Sequence, residues 1–308
     1  MLQKPWKTFC LLFLMINNDI YIKEKIIFMA KNKEIVIRPP AGEIEFNIKE
    51  VWEYKDLLRE LVYKNFRLIY KQTVLGPIWL IFNPIITSVV FTFVFGNFAG
   101  LETDGLPQFL FYMSGNTLWN FFANCINTNS NTFRANAGVY GKVYFPRLTI
   151  PLSHVISGFI NFMMQFVSLM VFFFIYKFTG TELHIAPRML LIPVILLHTI
   201  LLCLAVGLVL SCLTYKYRDF VFIIGLGMQL WMYLTPVVYS MSNTGGWMHK
   251  VLLLNPMTPI VHNFRYALLG RGGCMIGSWI ISAVVTAVAL IIGIVAFNRS
   301  ARNFVDTV

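Results

Sequence analysis

The sequence has few charged residues for its length. Only 13 % of its 308 residues are Asp, Glu, Lys or Arg, whereas about 25 % of residues are charged in soluble globular proteins. Hydrophobic residues make up 57 %, and the mean hydropathy is +0.67. So few charges cannot cover a water-soluble body of this size. The composition therefore excludes soluble enzymes, disordered chains and coiled coils, and it indicates a helical protein that crosses a membrane several times.

Motifs of ATPases and of common hydrolases are also missing from the sequence. There is no H-E-x-x-H, no nucleophile elbow and no phosphate loop, since Gly141-Lys142 continues as Val143. The five cysteines form no C-x-x-C pair, and we predict no metal site. A loop site that uses Glu102 and Asp104 stays open as an alternative to simple solvation of that loop. We therefore predict that the chain is not an enzyme and does not hydrolyse ATP itself.

Apolar runs long enough to cross a bilayer recur along the chain. About 20 helical residues cross the ~30 Å hydrocarbon layer, and an isolated strand there would leave its backbone unsatisfied. We therefore expect an all-α membrane protein with six transmembrane helices over residues 77–298, followed by a cytoplasmic tail at 299–308. Residues 1–46 are predicted to be an N-terminal extension and cytoplasmic segment. The six predicted spans are residues 77–96, 106–126, 150–176, 189–213, 220–240 and 275–298.

The distribution of basic residues predicts the orientation of these spans. If both termini are cytoplasmic, 20 of the 25 Lys and Arg residues fall in cytoplasmic segments and five fall in external ones. This asymmetry follows the positive-inside rule. The net charge of +11 is then explained by attraction to anionic lipid of the cytoplasmic leaflet, so no nucleic-acid partner is expected.

A basic amphipathic helix is predicted over residues 47–72, directly before the first span. Apolar residues recur there at helical spacing, with a polar break at Asn65, and the opposite face carries Arg59, Lys64 and Arg67. Two roles fit such a helix. It is a lipid anchor alone, or it also borders a partner subunit and a gate.

Two further segments between the spans have patterns of interest. Residues 127–149 form the longest predicted cytoplasmic loop, which is either a docking element with a short helix or a plain solvated loop. Residues 245–270 are apolar but interrupted by Pro256 and Pro259, which favours two short re-entrant helices over an amphipathic surface loop. Arg265, in this second segment, is expected either to steer an anionic group or, as is commoner, to extend to lipid headgroups.

Polar and aromatic side chains form a stripe on two of the predicted spans. Such stripes suit a sugar chain, because rings stack on apolar sugar faces and amides bond hydroxyls, although ordinary helix packing also explains them. No charged residue lies within the spans, and His198 is interpreted as a hydrogen-bonded packing residue and not as a proton carrier. The stripe residues are Asn83, Thr87, Phe91 and Phe95 on the first span and Gln229, Trp231, Thr235 and Tyr239 on the fifth.

Four sequence motifs together with the six spans resemble one transporter family. The motifs are YKQTVLGPIWLIFNP at 70–84, GKVYFPRLTIP at 141–151, YKYRD at 215–219 and LNPMTPIVHNFRYALLG at 254–270. In this order and spacing they resemble the type-2 ABC exporter permeases, and among these the branch that exports O-antigen, capsule and teichoic acid. The resemblance covers about residues 47–305.

The resemblance implies a permease of the bacterial inner membrane with both termini inside. Two copies would pair with two copies of an ATP-binding cassette subunit, which would hold ATP and Mg, so this chain is expected to bind no cofactor. The implied cargo is an undecaprenyl-linked glycan. A drug, peptide or lipid cargo, a membrane-embedded glycan polymerase or transferase, and a passive channel remain alternatives.

The resemblance also assigns roles to particular residues. The helix over 47–72 would be the interface helix, with Arg59, Lys64, Arg67 and Tyr70 as its key residues. The external gate would include Asn255, Pro256 and Arg265. The implied contacts with the ATP-binding subunit are Arg134, Lys142, Arg147, Tyr217, Arg218 and Asp219.

Overall fold

The structure is a computed structural model that describes residues 48–71, 78–140, 145–181, 183, 186–217 and 219–307. Within these ranges the chain forms helices and connecting turns, with no strand. The predicted N-terminal segment 1–46, Lys142 and Arg218 lie outside the described residues, as does the side chain of Tyr70.

The helices follow one another in this order along the described chain. They are α1 (Ile48–Glu53), α2 (Lys55–Lys71), α3 (Ile78–Phe91, continued by a π-helix over Thr92–Phe98), α4 (Gln108–Ser130), α5 (Thr132–Ala135), α6 (Ala137–Tyr140), α7 (Thr149–Phe178), α8 (Leu191–Lys216, preceded by a 3-10 turn over Pro187–Leu190), α9 (Phe220–Tyr233), α10 (Gly246–Leu254), α11 (Met257–Leu269) and α12 (Ile276–Thr307).

Four of the described helical segments are long and apolar enough to cross a membrane. They are Ile78–Phe98, Thr149–Phe178, Pro187–Lys216 and Ile276–Ala301. These four coincide with the predicted spans 77–96, 150–176, 189–213 and 275–298.

The predicted span at 106–126 forms the 23-residue helix α4, which is long enough to cross but more polar than those four. Its position explains this polarity, because α4 packs against α3, α7, α8, α9 and α11 and is the central helix of the bundle. Most of its surface faces protein, so it needs few apolar side chains. Neighbouring helices approach α4 closely where they carry small residues. At Gly207 of α8 the space is so tight that an added Cβ atom would lie 2.8 Å from the Cβ of Asn129 on α4.

The predicted span at 220–240 has a shorter helix than expected. α9 ends at Tyr233 after 14 residues, which is about 21 Å of helix, and residues 234–240 continue as turns. Pro236 supplies no backbone N–H to extend the helix. The prediction of helix through residue 240 was therefore wrong, and residues 234–240 are named here the break.

The predicted amphipathic helix forms as α1 and α2, with a turn at Tyr54 between them. α2 packs along α7. The side-chain amide of Asn65 donates to the hydroxyl of Ser157 on α7 at 3.3 Å. The polar break in the apolar face of this helix is thus explained by a hydrogen bond between the two helices.

Buried apolar side chains form two clusters. The larger one follows α4 through the bundle and includes Leu110, Phe122 and Phe264. The smaller one lies at the end of the bundle where α4 ends and α7 begins, and it is named here the coupling cluster. Its buried members are Phe133, Phe145, Ile150, Leu208, Ile294, Phe297 and Ala301.

Candidate functional site

The predicted coupling loop 127–149 is anchored to the bundle through α5. The ring of Phe133 lies 4.8 Å from that of Phe297 on α12 and 5.7 Å from that of Tyr215 on α8. The hydroxyl of Thr214 donates to the carbonyl of Ser130. Three elements, α5, α8 and α12, therefore meet at the coupling cluster.

Three of the residues predicted to contact an ATP-binding subunit are exposed near this cluster. Arg134 on α5 and Asp219, directly before α9, are exposed, and Tyr217 is 49 % exposed. The Lys216 ammonium lies 5.2 Å from the Tyr217 ring centre. Arg147 is only half-buried. The structure thus presents Arg134 and the Tyr217 turn on ends of α5 and α8 that contact each other.

The basic residues predicted on the interface helix lie on its outer side. Arg59 and Lys64 are exposed, while Arg67 is half-buried. The guanidinium of Arg67 lies 4.5 Å from the ring centre of Tyr63, which is a cation–π distance. This helix therefore keeps its charge outward and its apolar side on α7.

The break is held by side chains from other elements. Arg265 of α11 donates to the carbonyl of Pro236, and to that of Val237 at 2.5 Å. The Asn255 amide donates to the Leu234 carbonyl and to the Thr235 hydroxyl, both at 2.8 Å. These bonds satisfy backbone groups that would be costly to leave unpaired in an apolar environment.

The loop between α3 and α4 also holds the break. The hydroxyls of Ser240 and Ser242 both donate to the carboxylate of Asp104. Asp104 has a positive φ of 55°, a conformation that Asp tolerates better than most residues. Asp104, Asn255 and Arg265 are named here the gate clamp, because each fixes a different part of residues 234–242.

Arg265 is buried and does not extend to a headgroup region. Its side chain is 6 % exposed, and its guanidinium lies 3.7 Å from the ring centre of Phe111 on α4. A Cβ at Gly115 would collide with this guanidinium. The expectation that Arg265 extends to lipid headgroups was wrong, because its side chain is buried and its Nη1 and Nη2 groups donate to backbone carbonyls.

A second ionisable side chain on α11 is neutral at pH 7. Burial, with Arg265 nearby, lowers the pKa of His262 to about 4, although Asp104 acts in the opposite direction. The ring nitrogen Nε2 of His262 lies 3.0 Å from the Gly273 carbonyl oxygen. The small cavity beside Pro236 and Ser240 is lined by the charged side chains of Asp104, Arg265 and Arg271.

The two polar and aromatic stripes both lie against α4, at different levels. The rings of Phe91 and Phe95 lie 6.4 and 6.5 Å from Tyr112, whereas Trp231 lies 5.4 Å from Phe122. Phe91, Phe95 and Trp231 therefore pack within the helical bundle.

The polar members of the stripes are placed differently from one another. Thr235 is buried and bonded to Asn255, and the Tyr239 hydroxyl donates to the Tyr233 carbonyl. Asn83 and Gln229 are exposed, and Thr87 donates to the Asn83 carbonyl at 2.9 Å. The polar members of the stripes therefore include both exposed side chains and side chains bonded within the bundle.

Sequence reasoning missed Asp104 and Phe133 as structural residues. Asp104 was interpreted as a solvating acid, with a loop site as the alternative, and the signal that could have identified its structural role is the Asp104-Gly105 turn between two helices. No sequence pattern identified Phe133 as the residue that anchors α5 to the bundle. An aromatic residue in a polar loop has this role only if the helices bring it into contact with other rings, and that cannot be read from the sequence.

The site contains no candidate metal centre: among the described residues, no group of three or more His, Cys, Asp or Glu side chains could hold an ion. Long apolar helices, with the short helix α5 packed on one end and a clamped break at the other, define an integral membrane protein built as a helical bundle. The family model for the ABC-2 type transporter matches residues 56–269, from α2 to the end of α11. The chain belongs to the ABC-2 type transporter family, so the resemblance seen in the motifs is confirmed. Permeases of this family are transport subunits that work with an ATP-binding subunit.

Named relatives cover most of the chain. It is similar to the O-antigen export system permease protein RfbA of Klebsiella pneumoniae, with 26 % identity over 252 residues, 82 % of this chain and 94 % of that protein. It is also similar to the O-antigen export system permease protein RfbA of Myxococcus xanthus, with 25 % identity over 221 residues, 71 % of this chain and 82 % of that protein.

Proposed function

We propose that this chain is the transmembrane subunit of an ATP-driven exporter that moves a lipid-linked polysaccharide of the O-antigen, capsule or teichoic-acid type across the bacterial inner membrane. The observation that carries the proposal is the similarity to O-antigen export permeases over 82 % of the chain and 94 % of the relative. The family-model match over residues 56–269 includes Phe133 and all three residues of the gate clamp.

In this proposal the chain crosses the membrane six times, with both termini inside. α4 supplies the second crossing and α9 with the break supplies the fifth. α9 alone covers about 21 Å of the ~30 Å layer, so the break lies at membrane depth. α10 and α11 are then re-entrant gate helices, and Asn255, Pro256 and Arg265 are gate residues that hold the break in place.

The exposed face of the bundle supports a dimer. Phe82, Ile86 and Val90 on α3 and Phe222, Leu226 and Leu230 on α9 are about half to three-quarters exposed. Such apolar faces contact lipid or another protein. Asn83 and Gln229 add exposed amides to the same two helices, and an amide at membrane depth needs a polar partner. A second copy and the hydroxyls of a glycan supply such partners.

The partner at the coupling end is an ATP-binding subunit, in two copies per exporter. It would hold ATP and Mg and dock on Arg134, Tyr217 and Asp219, with Arg147, Lys142 and Arg218 nearby in sequence. Arg134 is charged and exposed, and Phe133 anchors α5 to the bundle. Both observations favour a docking element rather than a plain solvated loop over residues 127–149.

Deletion of the gene tests the cargo. We expect an undecaprenyl-linked glycan to accumulate on the cytoplasmic side of the membrane, and a plasmid copy of the gene to reverse the accumulation. The control is a plasmid copy with Lys177→Ala, a change at the end of α7 and outside the proposed gate helices and docking residues, which should also reverse it. Accumulation of a drug, peptide or lipid with no change in any glycan would contradict the proposed cargo and favour another substrate of the same family.

A further inference from the structure

A series of hydrogen bonds connects α8 to the gate segment through α12. Trp279 Nε1 donates to His198 Nδ1 at 2.8 Å, and His198 Nε2 lies 3.0 Å from the Thr286 hydroxyl. The Thr286 hydroxyl donates to the carbonyl of Ser282 at 2.8 Å. The Ser282 hydroxyl donates to the carbonyl of Pro256 at 2.7 Å. His198, Ser282 and Thr286 are all buried.

The donors in this series fix one arrangement of protons. The Trp279 indole can only donate, so Nδ1 of His198 must accept and carries no proton. His198 Nε2–H is then the donor to Thr286, whose own proton goes to the Ser282 carbonyl. A second proton on His198 would point Nδ1–H at the indole N–H, so this site holds the neutral ring.

The series ends at the connector between the two gate helices, residues 255–256. Pro256 accepts from Ser282, while Asn255 donates to the Leu234 carbonyl and the Thr235 hydroxyl. The connector is therefore held from two sides, by α12 on one side and by the end of α9 on the other.

α8 continues without interruption from His198 to the coupling cluster. Tyr215, which contacts Phe133, lies about 26 Å along the helix from His198. α8 and α12 form the most extensive helix pair in the described chain, and a Cβ at Gly293 would lie 3.0 Å from the Ala205 carbonyl oxygen. α9, in contrast, is interrupted by the break, so α8 and α12 are the stiffer connection between the two ends.

We propose that His198 is a positioning residue for transport: through Thr286 and Ser282 it keeps the 255–256 connector in register with α8, so that movement at the coupling cluster reaches the gate helices. The transport step in this inference rests on the proposed function. Because spatial connection alone does not demonstrate coupling, the test measures coupling and connector order separately.

The first measurement is the amount of glycan moved per ATP hydrolysed by the full exporter in vesicles. For His198→Ala and for Ser282→Ala we expect a fall of about tenfold, because each leaves a buried partner unsatisfied, while assembly and ATP hydrolysis remain. His198→Gln should restore the ratio to within about threefold, since an amide both accepts from Trp279 and donates to Thr286. The matched control is Thr199→Val, whose hydroxyl bonds only the Ile195 carbonyl of its own helix.

The second measurement is backbone hydrogen exchange over residues 255–269 in the purified permease. We expect faster exchange in His198→Ala and Ser282→Ala, and wild-type exchange in His198→Gln and Thr199→Val. This result does not depend on the cargo. If the wild-type exporter moves no glycan, the proposed function fails, and the exchange data still decide whether His198 holds the connector.

Two results would overturn the inference. In the first, His198→Ala and Ser282→Ala leave exchange over residues 255–269 unchanged. In the second, exchange rises but the wild-type ratio of glycan to ATP is retained, which would make the hydrogen bonds structural only. Ser282→Ala removes a single atom, so it keeps the inference testable if His198→Ala does not fold.

Discussion

The buried side chain of Arg265 supplies hydrogen-bond donors that a continued helix would have supplied. Where α9 ends, the backbone carbonyls of Pro236 and Val237 have no helical donor, and the guanidinium supplies both bonds. Its planar group of donors suits two neighbouring acceptors better than an ammonium does. Phe111 covers its face at 3.7 Å, so the charge is shielded from lipid by a ring that attracts it.

Arg265→Met is expected to destabilise the permease strongly. It keeps an apolar side chain of similar length but leaves two buried carbonyls unpaired, at a cost of about 1–3 kcal/mol each. The apparent melting temperature of the purified protein in detergent should fall by several degrees. Lys250→Ala, which changes an exposed cation on α10, is the control. Equal melting temperatures for wild type and Arg265→Met would contradict the role given to Arg265.

Gly115 is expected to be essential for the position of Arg265. A Cβ there would meet the guanidinium, and the Val237 carbonyl oxygen at 3.1 Å, so Gly115→Ala should displace the clamp and lower the melting temperature. Gly225→Ala is the matched control, because nothing lies within 4 Å of its Cβ position and Ala favours helix by about 1 kcal/mol. A melting temperature that falls equally in both variants would show that helix flexibility, and not the clamp, is responsible.

At the scale of the elements, the short helix α5 connects the solvent-exposed end to the bundle. It has only four residues, too few to be stable alone. Its position depends on Phe133 packing against Phe297 and Tyr215. If the ATP-binding subunit docks on α5 as proposed, these contacts connect it to the two long helices α8 and α12.

Arg134→Glu is expected to weaken docking of the ATP-binding subunit. Reversing one exposed charge at a contact removes attraction and adds repulsion, which typically changes affinity by tenfold or more. The measurement is co-purification of the two subunits and stimulation of ATP hydrolysis. Lys250→Glu makes the same charge change away from the coupling cluster and should have no effect. Unchanged co-purification of Arg134→Glu would contradict the docking assignment.

Elements differ in how well the sequence predicts them. The spans at 150–176, 189–213 and 275–298 were predicted to within a few residues of their N-terminal ends, because long apolar runs admit only helix in lipid. The end of α9 was not predicted, because the donors that replace its helix come from Asn255 and Arg265, distant in sequence. Asn65 was identified as a break in pattern, but its partner Ser157 depends on how α2 packs along α7.

At the scale of the whole molecule, side-chain contacts hold the segments at both ends of the bundle. The continuous helices α8 and α12 connect the two ends. The coupling cluster joins α5, α8 and α12, and the gate clamp holds the break through Asp104, Asn255 and Arg265. The site could be predicted only in part. The motifs indicate which segments of the chain are functional, but they do not show which side chains contact one another. The side-chain contacts that hold each segment in place depend on how the helices pack against one another.

The central claim is that this chain provides a passage and takes its energy from an ATP-binding subunit. The most direct test is movement of a lipid-linked glycan across vesicles that contain the purified permease, with and without that subunit and ATP. The account predicts movement only when both are present, and none with a subunit variant that binds but does not hydrolyse ATP. Movement at the full rate by the permease alone, without nucleotide, would contradict it.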